Sequence, residues 1–396
     1  MQQWCVLLKY GELMLKGRNR ARFEQQLRRN IDRALAGMDG VQVRQRPGVV
    51  VVSGPAPLAD LLGRSRDLVG ISVVQPAIRV DPTPAAAAET AIALLRDRPA
   101  GTFAVRAHRR NKRFPLNSEQ LNRHVGTAVC ERLGRKVNLS APDHEVRIEV
   151  DRQELYVYVD RYEGQGGLPV GVSGRGLVLL SGGFDSPVAA YRAMRRGLRC
   201  DFVHFTGAPF TSPSSVLKAY ALVRTLDRFQ GDSRLYVVAF GKAQRALATA
   251  GAGRLQVLAQ RRLMVRVANE LAERLGDEAL VTGDSLGQVS SQTLANLGAV
   301  EAASALPLLR PLLGWDKAEI MQEGRRLGVD QISRLPDEDC CTLFASPKAE
   351  TRARLRELEA LERRVDVDHL VEELLARINE HHPGRGPAPD GLTTAA

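Results

Sequence analysis

Residue types and spacing point most directly to chemistry in Ser181-Gly182-Gly183-Phe184-Asp185-Ser186. Two glycines let backbone close on an anion with no Cβ in the way, and Ser181 and Ser186 add hydroxyls. The apolar run Leu177–Leu180 before them reads as a buried strand, and Pro187 after them suits the first turn of a helix. Strand, glycine turn and helix start aim several backbone N–H groups and a positive dipole end at one spot, which suits phosphate. Asp185 repels phosphate oxygens unless a cation intervenes, so it is a candidate partner for Mg²⁺. The spacing G-x-x-x-x-G-K-[ST] is absent, and Gly174-Arg175-Gly176 precedes the strand. Neither a P-loop nor a dinucleotide fingerprint therefore fits.

Further candidates fall at the ends of later strands. His204-Phe205 closes one, where a ring can stack on a base, and Thr282-Gly283-Asp284-Ser285-Leu286-Gly287-Gln288 is a second glycine-rich exit, followed by Gln292. Arg261 and Arg262 share a helix that can turn one guanidinium inward. Taken singly, His204 reads as a packed strand-end ring, Arg261 as solvent-exposed, Gln292 as a helix-surface amide and Lys317 as a surface lysine. Cys340-Cys341 is different, because adjacent thiols bridge only under strain and lack metal-binding spacing. Three carboxylates just upstream raise a thiol pKa, so activation must come from elsewhere in the fold. Cys5, Cys130 and Cys200 sit in apolar contexts and read as inert core thiols.

The elements that position these groups are legible from periodicity. In the first 57 residues, strands at Trp4–Leu8, Val41–Arg46 and Val49–Val52 surround a helix capped by Asn19, with an apolar stripe Phe23, Leu27, Ile31, Leu35. Residues 58–162 follow, with extended segments Ile71–Val74 and Ile78–Val80 and a helix Pro84–Leu95. A strand Thr102–His108, a helix Ser118–Leu133 capped by Ser118 and Glu119, and a hairpin pair Val146–Val150 and Leu155–Val159 complete that part. Residues 163–172 are a glycine-rich linker. Over 173–380 strands and helices alternate, which predicts a doubly wound parallel sheet with ligands at the carboxyl ends of its strands. Glu350–Asn379 reads as one charged helix and 381–396 as a disordered tail.

Charge divides unevenly. Residues 1–170 carry 27 Lys and Arg against 18 Asp and Glu, whereas 171–396 carry 29 against 27, within a net charge of +11. The front half therefore holds the field that attracts a polyanion. Arg106, Arg109, Arg110, Lys112 and Arg113 crowd one strand end beside Phe114, a pairing of cations and aromatic that suits RNA phosphate contact and stacking. No apolar run spans a membrane, no signal peptide opens the chain and the five cysteines form no disulfide framework, so a cytoplasmic location is expected.

The hexapeptide at 181–186 resembles the signature of PP-loop ATP pyrophosphatases. With His204-Phe205, residues 282–288, Glu338-Asp339-Cys340-Cys341-Thr342 and the early Lys9-Tyr10-Gly11-Glu12-Leu13, the chain resembles the tRNA 4-thiouridine synthetases. The resemblance implies a ferredoxin-like α+β domain, a THUMP RNA-binding domain and a PP-loop domain. It implies ATP contacts at Leu179, Leu180, His204, Phe205, Arg261, Gly283 and Gln292, with pyrophosphate on Ser181, Gly182, Gly183, Phe184 and Ser186. Asp185 and Lys317 would support adenylation of a uridine O4, and Cys340 would carry or attack with sulfur. ATP and Mg²⁺ are the implied cofactors, with no resident metal site.

Longer family members append a rhodanese domain that this sequence does not include. The resemblance then implies sulfur delivery by a cysteine desulfurase, with tRNA and a second copy of the chain as further partners and a role in thiamine thiazole synthesis in question. A 2-thiouridylase, a lysidine-forming ligase and a non-catalytic RNA-binding protein stand as alternatives.

Overall fold

The computed structural model describes residues 3–336, 343–346 and 348–385. The chain divides into two compact units between Gly167 and Leu168.

The first unit is built on one eight-stranded sheet. Its elements in order are β1 (Gln3–Lys9), α1 (Arg20–Ala34), β2 (Gln42–Arg46), β3 (Val49–Ser53), α2 (Leu58–Arg66), β4 (Val73–Val80), α3 (Pro84–Arg96), β5 (Phe103–Arg109), α4 (Ser118–Leu133), β6 (His144–Val150), β7 (Leu155–Tyr158) and β8 (Tyr162–Glu163). Strand order is β2-β3-β1-β4-β7-β6-β5, with β8 on β4. Alternation along β1 sends Val6 and Leu8 into a core with Leu27, Ile31, Leu61 and Val74, while Cys5 and Leu7 pack on the opposite face with Tyr156 and Tyr158. Residues 58–74 thus share a core with β1 and α1. A second core joins α3 and α4 to β5, β6 and β7.

Three local expectations are corrected here. The two extended segments around Pro76 are one strand, β4. β7 pairs its residues 78–80 and β8 its residues 73–74, so Pro76 sits at the gap between them, a place proline tolerates. Helix α4 is capped by Asn117, whose side chain accepts from the Gln120 N–H while Gln120 reaches back, not by Ser118 and Glu119. Asn19 precedes α1 without making a side-chain cap.

The second unit is a doubly wound α/β sheet. It runs β9 (Arg175–Leu179), α5 (Asp185–Arg195), β10 (Arg199–Thr206), α6 (Ser214–Gln230), β11 (Leu235–Ala239), α7 (Gly241–Thr249), α8 (Gln256–Leu275), β12 (Leu280–Val281), α9 (Leu294–Glu301), β13 (Leu308–Leu309), α10 (Lys317–Leu327), α11 (Asp330–Ser333), α12 (Leu355–Arg364), α13 (Val367–Leu375) and β14 (Asn379–His381). Strand order is β13-β12-β9-β10-β11-β14, parallel except for β14, which lies antiparallel on the β11 edge. Val203 and Phe205 of β10 face the α8 core, while Cys200 lies against the Ala190 carbonyl of α5. The connection from β9 leads to β10 on one side, and the connection from β12 leads to β13 on the other. A crevice therefore opens at the carboxyl ends of β9 and β12.

The segment expected as one helix after Glu350 is two, α12 and α13, joined at Asp366, whose φ is +48° and whose side chain caps α13. The tail expected as disordered from His381 instead begins within β14, and 386–396 lie outside the described residues. Arg262 is 1% exposed and pairs with Glu362 of α12 at 2.6 and 3.0 Å, with Arg266 adding a third contact at 2.9 Å. Burial works against the Glu362 carboxylate, but the two guanidinium groups win and hold it below the ordinary range. Its contribution to stability is present above the unfolded carboxylate value and is lost as pH falls through the lowered folded one. Replacing Arg262 by Leu is expected to lower unfolding free energy by about 3 kcal/mol, read from the urea midpoint, because Glu362 stays buried with one partner fewer.

Among the described residues no helix is long and apolar enough to cross a membrane. Cys5 and Cys200 are fully buried, which pushes the Cys5 thiol up to about 12 and the Cys200 thiol higher still. Cys130 is only partly buried.

Candidate active site

The turn at 181–186 leaves β9 and enters α5 as its sequence demands. Ser186 Oγ accepts the Ser181 N–H at 2.9 Å and lies 3.1 Å from Ser181 Oγ, which in turn accepts the Gly183 N–H at 3.3 Å. The two hydroxyls thus brace the loop on which backbone donors collect. Gly283, at the end of β12, runs against this loop. A Cβ there would stand 2.6 Å from Ser186 N and 2.8 Å from Asp185 C. Both neighbours are backbone, so neither can swing aside. Gly283→Ala is expected to weaken nucleotide binding by about tenfold or more with an unchanged circular dichroism spectrum, as measured by calorimetry.

Leu179, Leu180, Ser181, Gly182, Asp185, Ser186, His204, Phe205, Arg261, Gly283 and Gln292 all line one cavity of about 300 Å³. Val257, Met264, Val265 and Val300 give it an apolar wall. Gly183 and Phe184 on the turn, and Lys317 at the start of α10, lie outside that lining. The Lys317 ammonium nevertheless donates to Asp185 Oδ1 at 2.9 Å, while the Gln288 amide donates to Oδ2 at 3.0 Å. Lys317 also lies over the Phe184 ring, 5.4 Å from its centroid.

His204 is 3% exposed. Its Nδ1 lies 2.9 Å from the Leu180 carbonyl, which can only accept, so Nδ1 donates and Nε2 faces the Ser215 hydroxyl at 3.2 Å. The ring therefore ties β10 to β9 and α6. Phe205 packs edge-on against Phe240, centroids 5.4 Å apart. Of the two adjacent arginines, Arg261 turns into the cavity and Arg262 into the core.

Sequence reasoning gives one residue of the candidate stretch 282–288 no role of its own. Asp284, within the second glycine-rich exit, accepts at Oδ1 from Arg261 at 2.5 Å and from the Gln292 amide at 3.3 Å, and at Oδ2 from Thr282 Oγ1 at 2.8 Å. Burial disfavours this carboxylate, yet Arg261 and the Thr282 hydroxyl hold it below the ordinary range. The usable signal is a carboxylate directly after Gly283 at a strand exit. Arg261 and Gln292 are accordingly neither solvent-exposed nor surface residues.

Three family models match this sequence. They are Thiamine biosynthesis protein (ThiI) over residues 171–367, the THUMP domain over 86–160 and the ThiI ferredoxin-like domain over 5–74. A probable tRNA sulfurtransferase of Nocardia farcinica is 54% identical over 393 residues, covering 97% of this chain and 95% of that protein. The chain belongs to the ThiI family.

A second relative, the probable tRNA sulfurtransferase of Moorella thermoacetica, is 40% identical across 94% of this chain and 96% of its own length. Among solved structures, a 4-thiouridine synthetase–RNA complex with bound ATP superposes with a TM-score of 0.88 at 32% identity, covering 96% of this chain and 99% of that one. The PH1313 protein of Pyrococcus horikoshii, at 22% identity and a TM-score of 0.66, shares the fold.

Within the ThiI frame, the basic cluster lies in the THUMP match. Arg109 is spent on its own loop, donating to the carbonyls of Phe114 and Leu116 at 3.2 and 3.3 Å, and Arg110 donates to Pro47 O at 3.3 Å. Arg106 donates to Leu139 O at 2.5 Å and remains exposed. Lys112 and Arg113 are exposed. Phe114 is 5% exposed and packs in the α3–α4 core, so it cannot stack on a base, a correction to the sequence reading. Cys340 and Cys341 lie outside the described residues. On either side of them, Leu335 O accepts from Lys218 Nζ at 2.7 Å and Leu343 O from Gln260 Nε2 at 3.0 Å. Lys218 is on α6 with Ser215, and Gln260 is beside Arg261 on α8.

Proposed function

We propose that this chain is an ATP-dependent tRNA sulfurtransferase that makes 4-thiouridine. The observation that carries the reading is the meeting, at one rim, of the braced Ser181–Ser186 turn, the Lys317–Asp185 pair and an apolar cavity of nucleotide size. Adenine would lie against Leu179, Phe205 and Val265, and the phosphates would reach the turn and the α5 N-terminus. Uracil O4 is a poor leaving group as hydroxide. Attack by O4 on the α-phosphorus breaks the bond to pyrophosphate and makes O4 part of AMP. Persulfide sulfur on Cys340 then attacks C4, the C4–O4 bond breaks and AMP departs. A second thiol, Cys341 or an external reductant, cleaves the remaining S–S bond and leaves sulfur on the base.

Mg²⁺ on a triphosphate keeps mostly phosphate and water ligands and needs one or two carboxylates from the protein. Asp185 at the turn fits that need, and no group of three His, Cys, Asp or Glu side chains among the described residues forms a separate cage. When bound, the ion would offset negative charge on the phosphates. Lys317 would place its own charge there while holding Asp185 in register.

The basic first unit supports tRNA as the substrate, with Arg106, Lys112 and Arg113 placed to meet phosphates and Arg109 and Arg110 shaping the loop that presents them. A cysteine desulfurase would load the sulfur, and supply of sulfur for thiazole synthesis belongs to the same proposal. Incubation with tRNA, ATP, Mg²⁺, cysteine, a cysteine desulfurase and a thiol reductant, followed by nucleoside analysis, tests the reading. 4-Thiouridine is expected; 2-thiouridine or lysidine would move the chain to a sister activity, and no modification with no AMP release would overturn it.

A further inference from the structure

Two phenyl rings are left in solvent beyond the carboxyl end of β10. Phe210 and Phe344 are 39% and 41% exposed, and they meet edge-to-face with centroids 5.6 Å apart. Phe210 lies in the loop that follows the cavity residues His204 and Phe205, where its N–H donates to the Gly207 carbonyl at 2.9 Å. The segment with Phe344 runs against that loop. A Cβ on Gly207 would stand 3.2 Å from Leu343 Cδ2, and Gln260 of α8 donates to the Leu343 carbonyl at 3.0 Å. Gly241, which opens α7, packs on the Gly207 carbonyl with no room for a Cβ. One turn along α7, the Arg245 guanidinium lies over the Phe210 ring, 5.1 Å from its centroid. Phe344 itself has a φ of +59°, a left-handed conformation that a bulky side chain adopts only where its surroundings enforce it. Exposed phenyl surface and a disfavoured φ both cost stability, and such strain collects where a ligand is held.

In an edge-to-face contact Phe210 takes at most one face of Phe344, and the exposure of that ring leaves the other to a flat group. Arg245 and Lys242 are exposed on α7, and among the described residues neither pairs with a carboxylate. An apolar patch alone suits a protein segment as well, but a ring beside uncompensated cations suits a base and its phosphates. In sequence Phe344 comes four residues after Cys340. We propose that Phe344, braced by Phe210, is a stacking site for one unpaired base of the substrate RNA, with Arg245 and Lys242 meeting the backbone of that strand. This rests on the tRNA reading given above. It adds a base contact in the second unit, where charge balance gave no sign of one, and supplies the stacking ring that buried Phe114 does not. A base must leave its helix before its edge can react, and a protein ring that stacks it offsets the stacking lost.

Binding of tRNA to the full chain, followed by fluorescence anisotropy, tests this. Phe344→Asn removes the ring at a φ that asparagine tolerates. It is expected to bind tRNA about tenfold more weakly, with an unfolding midpoint no lower than wild type. Phe344→Trp keeps a stacking face and should bind within about twofold of wild type. Arg245→Gln should reduce the slope of log affinity against log salt by about one. ATP affinity should be unchanged in all three. In the wild-type chain, tRNA carrying 5-iodouridine should crosslink to Phe344 under ultraviolet light, and the crosslinked nucleotide identifies the base that is seated. Wild-type tRNA affinity in Phe344→Asn, or a crosslink map without Phe344, would overturn the inference. An equal loss in Phe344→Trp would do the same, since it marks a packing role. So would a loss confined to sulfur loading by a cysteine desulfurase, which would make the rings a protein contact. Failure of the wild-type chain to bind tRNA at all would instead sink the tRNA reading, and this inference with it.

Discussion

Asp185→Ala is expected to abolish AMP formation, with a fall of about a thousandfold or more in tRNA-dependent pyrophosphate release. The residue opens α5 at the phosphate turn, and both of its oxygens are engaged, one by Lys317 at 2.9 Å and one by Gln288 at 3.0 Å. Removing it releases two groups from β12's exit loop and α10 that otherwise converge on the turn. It also removes the one carboxylate on this turn placed to share a cation with the triphosphate. Preorganised charge of this kind is worth about a hundredfold to a thousandfold per donor in enzymes that stabilise developing negative charge. Losing the pair costs more than losing one member. Asp185 is partly exposed, so the fold should survive the change, and an unaltered unfolding midpoint would separate lost chemistry from lost structure. Measurable AMP release at even a tenth of the wild-type rate would contradict the role given to this carboxylate.

Cys340→Ser is expected to do the opposite, sparing adenylation and blocking thiolation. Activation of O4 uses ATP, the phosphate turn and the uracil, and no sulfur is needed until AMP is displaced. A serine hydroxyl carries no transferable sulfur, so 4-thiouridine should fall below detection while a first turnover of pyrophosphate persists. Rapid-quench assays with labelled ATP would show both in one experiment. The flanking anchors, in which the Lys218 and Gln260 side chains donate to the Leu335 and Leu343 carbonyls, involve no cysteine side chain. If the serine variant also lost adenylation while keeping its fold, the two steps would not be divided between turn and thiol as proposed.

Much of this molecule is legible in the order of its residues. The Ser181–Ser186 turn depends on local chemistry, since glycines, hydroxyls and a helix start lie within six residues of one another. The alternation of strands and helices after residue 173 is likewise a local pattern, and it dictates where a doubly wound sheet keeps its ligand. Capping is less legible, because Asn117, Ser118 and Glu119 are all competent near a helix start and only the backbone geometry chooses among them.

Pairing between distant elements escapes the sequence. Arg261 and Arg262 are chemically equivalent neighbours. One helix turns them about 100° apart, sending the first to Asp284 and the second to Glu362, a hundred positions away. His204 reads as a packed strand-end ring, but only the fold shows that Leu180 and Ser215 occupy its two nitrogens. Asp284 gains meaning only when α8 brings Arg261 to it and the loop after β12 returns Gln292. The sequence by itself determined the phosphate turn, the sheet class and the family, because each is written in contiguous residues. Tertiary structure alone decided which partner each of these side chains takes, because orientation around the cavity is set by contacts that no spacing in the chain records.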